Sequence, residues 1–327
     1  MLSWQRIHLL AAVEAARAHR ELEIDTSRQI DPFSALTRAG IVVIRRPLAG
    51  LAGLYLPSQD GNPPGVILNA VHPLSKQRYT AAHELAHHRR DGQVVLDEDT
   101  EWMPRAATAL SERERIAEAF SAWFLMPKRL VEQVLTQLRL DPRAIDPVGA
   151  YRLSLELGTS YQAAVHHLGD MRLLPSARRK ELLAISPREV KRRLGATPAL
   201  ANSWRDVWIV QQDDQRTDLS PVAGDAVVVE IEGTPSSGYL WQAAQLPQGV
   251  ALVSHDFQPD EPSAVGGRGT HRFLFRVGGS TSGLLTLEMR RPWEDLQLPA
   301  ERLELDIQSA PKPSVGMLNP LQLAASA

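Results

Sequence analysis

The chain of 327 residues has no cysteine. That absence excludes disulfide frameworks, thiolate metal sites, iron–sulfur clusters and thiol nucleophiles together, so any metal must sit on His, Asp or Glu. Excess charge of either sign is also missing. Lys plus Arg number 36 against 38 for Asp plus Glu, which leaves no global field to draw nucleic acid or a membrane, and any such binding must be local. No stretch approaches the ~20 apolar residues of a membrane span. The N-terminus lacks a basic segment followed by an unbroken apolar run, so the expectation is a cytoplasmic protein with no membrane contact. What is present is the balance of a globular chain, 43% hydrophobic and 23% charged, long enough for two or three domains.

Helix-like spacing covers residues 3 to 19 and 31 to 39, the second opening on Asp31-Pro32 as cap and first-turn pair. Ile41 to Ile44 and Gly65 to Asn69 are short β-branched runs that read as strands. Helical patterns follow at 78–90, 111–126, 128–138, 147–156 and 160–171, and the chain stays mostly α up to about Leu194. Past Gly195 apolar residues alternate, as in Val227, Val229, Ile231 and Phe273, Phe275, Val277, with Gly and Pro between the runs. Period two with such connections predicts a β-sandwich or barrel of about 110 residues.

His83-Glu84-Leu85-Ala86-His87 is the most informative segment. On a helix the two histidines at i and i+4 point the same way and can hold one cation. The Glu beside the first His can then take a proton from a water on the open metal position. A catalytic zinc generally takes three protein ligands, and Glu114 and Glu118, one turn apart on the next predicted helix, are both candidates for the third. Glu114 has a competing role, since Ser111 and Glu114 form a capping box. It also shares a face with Ala117 and Ser121, small enough to let two helices approach.

Residues 28 to 140 resemble the ImmA/IrrE family of gluzincin-like metallo-endopeptidases. The match runs through Val66-Ile67-Leu68-Asn69, Arg78-Tyr79-Thr80-Ala81-Ala82 with the metal motif, and Phe120-Ser121-Ala122-Trp123-Phe124-Leu125-Met126-Pro127. The resemblance implies His83, His87 and Glu114 as metal ligands and Glu84 as catalytic base, with zinc as the cofactor and manganese as the second candidate. It also implies helix-turn-helix repressors as protein substrates. In this reading Val66 to Asn69 forms the sheet edge along which an extended substrate pairs. Ala86 and Glu118 stand where the family commonly has Gly and Asn.

Between the two segments, Leu153 to Val165 has a helix-turn-helix outline around Gly158, and residues 172 to 193 carry eight Lys or Arg against two Glu. The presumed second helix is poor in base-reading side chains, so the expectation is a packing domain with at most weak DNA contact.

Residues 204 to 308 resemble the chagasin-like inhibitors of papain-like cysteine proteases. Three segments carry the likeness: Thr234-Pro235-Ser236-Ser237-Gly238-Tyr239-Leu240-Trp241, then Gly266-Gly267-Arg268-Gly269, then Arg291-Pro292-Trp293-Glu294. The resemblance implies an immunoglobulin-like sandwich whose three loops meet at one end and wedge into a protease cleft. The protein-binding set is Pro235, Ser236, Ser237, Gly238, Tyr239, Trp241, Gly266, Gly267, Gly269, Arg291, Pro292 and Trp293. Thr234 and Arg268 alter two of the three loops, so recruitment or regulation of the fused peptidase is expected ahead of cysteine protease inhibition.

The fold class expected is multidomain α+β. A gluzincin-like metallopeptidase core spans 1–140 and a helical, helix-turn-helix-like domain 141–199. An all-β immunoglobulin-like sandwich occupies 200–313 and a tail 314–327. The alternative function is a protein-binding regulator or cysteine protease inhibitor with a vestigial peptidase domain.

Overall fold

Ser3 opens the first helix, α1 (Trp4–Glu21), by accepting from Arg6 N, and Asp31 opens α2 (Pro32–Arg38) by accepting from Phe33 N with Pro32 in the first turn. These caps satisfy backbone donors that a helix cannot satisfy internally. The computed structural model describes residues 2–59, 61–90, 95–98, 111–195, 200, 204–214, 218–261, 266–293, 298–309 and 316–317. Strands β1 (Val42–Arg46), β2 (Leu51–Leu56) and β3 (Gly65–Asn69) follow, then helix α3 (Leu74–Arg90) with the metal motif, strand β4 (Val95–Glu98) and helix α4 (Glu112–Leu125). Helices α5 (Lys128–Gln137), α6 (Pro147–Glu156), α7 (Tyr161–Asp170), α8 (Ser176–Leu183) and α9 (Pro187–Arg193) complete the α-rich half.

The chain divides into two units. One holds Met1–Thr136, Leu140–Ile185 and Pro313–Ala327, the other Gln137–Arg139 and Ser186–Lys312. The sheet of the first has the order β13-β1-β3-β2-β4, where β13 (Gly316–Met317) comes from the C-terminal segment and pairs antiparallel with β1. The β3 strand therefore lies inside the sheet, parallel to β1 on one side and antiparallel to β2 on the other. The expectation that Val66 to Asn69 forms a substrate-pairing edge is corrected by this topology, because its backbone hydrogen bonds are already made on both sides. Strand β2 was not expected. Gly53 in its middle and an unbroken apolar composition hide the period-two pattern.

Helix α3 packs on β2 and β3 on one side and on α4 on the other, and every residue from Thr80 to His87 is buried. Two devices hold its start. Arg78, fully buried, donates from Nη2 to Ile30 O and from Nε to Gly158 O at 2.8 Å. Gly158 has φ +62° and no room for a Cβ, which would meet Arg78 Nε at 2.7 Å. Burial pushes the Arg78 guanidinium down to about 10. The turn that resembles a DNA-binding motif is thus the socket of a buried arginine. None of the side chains of α7 is fully exposed, and Tyr161, Ala163, Ala164, Val165, His167 and Leu168 are buried. Its half-buried residues are Gln162, His166, Gly169 and Asp170.

Helix α4 ends at Leu125 ahead of Pro127, and its last carbonyls need donors. Buried histidines from two other helices supply them: His19 Nε2 donates to Phe124 O at 2.8 Å and His167 Nε2 to Met126 O at 2.9 Å. His167 also meets Trp123 edge to face.

The second unit is β-rich. Strands β5 (Val207–Gln211), β7 (Ala226–Gly233), β10 (Gly269–Val277) and β9 (Val250–Pro259) make one sheet in that order. Strands β6 (Asp218–Leu219), β12 (Glu301–Ser309), β11 (Thr281–Arg290) and β8 (Leu240–Gln245) make the other. Phe273, Phe275, Leu285, Leu287, Leu305 and Ile307 are fully buried at alternate positions, which is the core that the period-two pattern predicts. Within this unit Lys191 of α9 donates to Arg205 O, and Arg272 of β10 donates to Leu194 O at the end of α9. Among the described residues, no helix is long and apolar enough to cross a membrane.

Burial pushes His167 down to about 4 from 6.5, and it lowers His8, His19 and His166 as well. The unfolded chain binds these protons first as the pH falls, so their stabilisation is complete above about 6.5 and is lost on the way to about 4. Thermal melts between pH 7 and pH 5 should fall in midpoint. His167→Gln, whose amide can still donate to Met126 O, should melt with a shallower pH dependence, and an unchanged slope would show that folding does not shift the pKa of His167.

Candidate metal centre

Helix α3 brings His83 and His87 onto one face, and the first turn of α4 presents Glu114 to both. The Nε2 atoms of the histidines are 3.0 Å apart, Glu114 Oε2 is 3.2 Å from His83 Nε2, and Oε1 is 3.5 Å from His87 Nε2. One donor atom from each of the three lies within 4.8 Å of the others, a group that could hold a metal ion. Two imidazole nitrogens and a carboxylate oxygen suit a borderline divalent cation. His83 and His87 are buried, and the Glu114 side chain is 29% exposed, so the cluster opens on its carboxylate side.

Ser111 Oγ accepts from Glu114 N at 3.2 Å, which is half of the capping box. The Glu114 carboxylate is turned to the histidines instead of back to Ser111. Hydrogen bonds from His83 and then His87 hold its carboxyl well below the usual carboxylate range. Ala117 and Ser121, three and seven residues on along the helix, are buried. Glu118 is half-buried and does not enter the cluster; its backbone carbonyl accepts from Tyr79 Oη at 3.0 Å.

Glu84 is 0% exposed, and the sheet makes room for it. A Cβ at Gly53 of β2 would collide with the Thr80 methyl and fall 3.1 Å from Glu84 Oε1. A lone glycine inside a strand is a sign of close approach, and Gly53 is the sequence signal of this buried carboxylate. Arg113, beside Glu114 on α4, is a neighbour that no sequence pattern marks: its Nε donates to His87 Nδ1 at 3.3 Å. His88 turns elsewhere, hydrogen-bonded through Nδ1 to Tyr55 Oη at 2.9 Å, and it lines a cavity of about 430 Å³ with Glu14, Arg17, Glu21 and Arg89.

In the second unit the first loop segment touches each of the other two. A 3-10 turn covers Pro235–Ser237, and Ser236 N donates to Gly266 O at 3.2 Å. Gly238, at φ +79°, lies under Trp293, whose Cη2 would be 2.8 Å from a Cβ there. The Arg291 guanidinium sits 4.5 Å over the Tyr239 ring. Ser236, Ser237, Pro292 and Trp293 are exposed, Trp293 by 68%. Pro235 and Gly267 are half-buried. Two of the expected binding residues are corrected. Trp241 is 3% exposed and donates from Nε1 to Glu232 O at 3.0 Å, so it closes the core. Gly269 is buried as the first residue of β10, where a Cβ would strike the backbone of β9. Glu294 lies outside the described residues.

Comparison with known proteins agrees with this division. Residues 36–168 match the family described as the IrrE N-terminal-like domain, peptidase group M78. Residues 221–307 match the chagasin family peptidase inhibitor I42. Two separate stretches of the chain are thus similar to two different families, an IrrE N-terminal-like domain first and a chagasin-like domain after it. Among solved structures it is similar to the cysteine protease inhibitor EhICP2 from Entamoeba histolytica, at 18% identity over 32% of this chain and 97% of that one, TM-score 0.30. It is also similar to Amebosin, at 18% identity over 32% and 98%, TM-score 0.28. A third is PbICP-C, solved in complex with falcipain-2, at 14% identity over 32% and 99%, TM-score 0.22. Comparison with curated proteins gave no match.

If the cluster holds a metal as its geometry suggests, Glu114→Ala should weaken zinc binding at least tenfold, roughly the effect of losing a ligand contact, while Glu118→Ala leaves it within about twofold. Competition against a chromogenic chelator measures both. Equal losses in the two variants would remove Glu114 from the ligand set.

Proposed function

We propose that the first unit is a zinc-dependent endopeptidase that makes limited cuts in a regulatory protein. The supporting observation is the convergence of His83, His87 and Glu114 with a carboxylate, Glu84, buried one residue from the first histidine. Zinc suits the donor set best, and manganese is the second candidate because two imidazoles and a carboxylate discriminate weakly. A bound dication supplies Lewis acidity and lowers the pKa of a water. In this reading His83, His87 and Glu114 hold the ion, and Glu84, kept from bulk solvent against Gly53 and Thr80, accepts the water's proton and passes it to the leaving amine. The match of residues 36–168 to a peptidase family supports the reaction class.

The substrate is a protein, and the resemblance to ImmA/IrrE enzymes supports a helix-turn-helix repressor in the cytoplasm. Substrate pairing in an extended form falls to β4, the outer strand beside β2, since β3 is internal and β1 already pairs with β13. The buried α7 supports a packing role for residues 141–185 and at most weak, salt-sensitive contact with DNA.

A second reading concerns residues 200–313 alone. The exposed Trp293, preorganised over Gly238 and beside the Tyr239–Arg291 pair, supports a protein-binding edge that enters a cleft. We favour recruitment of the substrate or regulation of the peptidase for this edge. A papain-like protease is the alternative partner, and in that case the chain is an inhibitor with a vestigial peptidase.

Glu84→Gln should keep the zinc and lose proteolysis by at least a hundredfold, the usual order for a general base; retained cleavage would sink the assigned role. For the sandwich, residues 200–312 should be replaced by a short linker so that Pro313–Ala327 still supplies β13 to β1. Lower activity on the native substrate with intact zinc binding supports recruitment, and higher activity supports self-inhibition. No cleavage by either form, together with inhibition of papain by the isolated sandwich, supports the alternative.

A further inference from the structure

A second pair of histidines lies in the β-rich unit, outside the metal motif and the three loop segments. Strand alternation puts His255 of β9 and His271 of β10 on the core-facing side of their sheet, since His271 keeps step with the buried Phe273, Phe275 and Val277. His255 stands opposite Phe273 and His271 opposite Phe257, so the two imidazoles are diagonal neighbours across the strands. Nε2 of His255 and Nδ1 of His271 are 3.0 Å apart, the same separation as between the two histidines of the first unit. Both rings are held in place. Phe273 stacks on His255 at 3.9 Å between centroids, and Phe257 packs on His271 at 4.9 Å.

Packing alone does not account for a histidine at 271. The residue is 3% exposed and its Nε2 is buried with no hydrogen-bond partner, a cost that a phenylalanine beside Phe257 and Phe273 would not carry. The neighbouring strand also gives way to the ring: a Cβ at Gly233 of β7 would fall 2.7 Å from that same Nε2. Because β9 is the outer strand of its sheet and His255 is exposed, an ion reaches the two facing nitrogens from the solvent side of His255.

We propose that His255 and His271 form a second cation site, one that takes copper(II). Bonds of about 2.0 Å from a single ion span two imidazole nitrogens at this separation, and the ion takes the place of the hydrogen bond between them. Among the described residues no third His, Asp or Glu joins the pair. Asp256 follows His255 in the strand and so faces the other side of the sheet. A donor set of imidazole without carboxylate suits copper, which heads the affinity order of the divalent metals, and it offers hard cations such as magnesium no oxygen to bind. The remaining coordination positions are left to water or to an outside donor. An ion here fastens the edge strand to β10 close to where Pro259 pairs with Gly269, at the base of the segment that carries Gly266. The inference stands apart from the metal centre of the first unit and from any cleavage.

The test is equilibrium dialysis of the full-length protein against copper(II), with zinc and magnesium alongside, for the wild type, His255→Gln and His271→Phe. Each variant should hold one equivalent of copper fewer than the wild type, whatever the first unit binds, because either loss leaves a single imidazole. Zinc should occupy this site at least about tenfold more weakly than copper, following the affinity order of the divalent metals. Copper should also raise the melting midpoint of the wild type by more than that of either variant. The difference between the electron spin resonance spectra of copper-loaded wild type and His255→Gln should carry the splitting of two nitrogens. An equal copper count in all three proteins, or zinc bound more tightly than copper, would overturn the proposal. A loss in His255→Gln alone would place the ion on the exposed ring only and overturn it as well. Should His271→Phe fail to fold, the difference spectrum decides: two nitrogens uphold the pair, and one nitrogen or none refutes it.

Discussion

The burial of two histidines and a glutamate on one helix is the constraint to which the first unit is built. From Thr80 to His87 no residue of α3 reaches solvent in any substantial part, and burying charged or polar side chains costs several kcal/mol each unless partners are supplied. The surroundings are shaped to supply them. Gly53 opens the sheet over Glu84, and Glu114 faces both histidines. The helix that carries Glu114 is fastened at its far end by His19 and His167 from α1 and α7. A site so enclosed can strengthen electrostatic effects on a bound ion, and it leaves the half-exposed Glu114 side as the way in.

The helices after Pro127 belong to this same arrangement. Arg78 reaches from the start of α3 to the carbonyl of Gly158, and Gln29 Nε2 donates to the carbonyls of Leu155 and Glu156 at the end of α6. A guanidinium buried among carbonyls is tolerable only while all of that geometry is intact. The helix-turn-helix outline therefore serves the metal helix, and its left-handed glycine is explained by the side chain it must admit.

In the second unit the same economy of glycine builds an exposed edge. Gly238 allows the Trp293 ring to lie against the backbone, and Gly266 brings its carbonyl to Ser236 N. Large aromatic surface is thereby held in place before any partner arrives, which lowers the entropy lost on binding.

Periodicity and chemistry in the sequence alone determined a good deal. Alternation at Phe273 and Phe275 and at Leu285 and Leu287 announced the β-rich half, and the spacing of His83 and His87 announced a two-histidine face, because strand and helix periods are local properties of the chain. The caps at Asp31 and Ser111 were legible for the same reason. Tertiary structure decided the rest. Whether Val66 to Asn69 lies at an edge depends on β1 pairing along one side and β2 along the other, and no local pattern encodes that order. Trp241 reads as a binding aromatic until its indole N–H is seen to meet Glu232 O, and the Arg113 contact with His87 joins residues 26 apart on two helices. Side chains with the same chemistry become core or surface according to which neighbour the packing brings within hydrogen-bond reach, and that distance exists only in the folded chain.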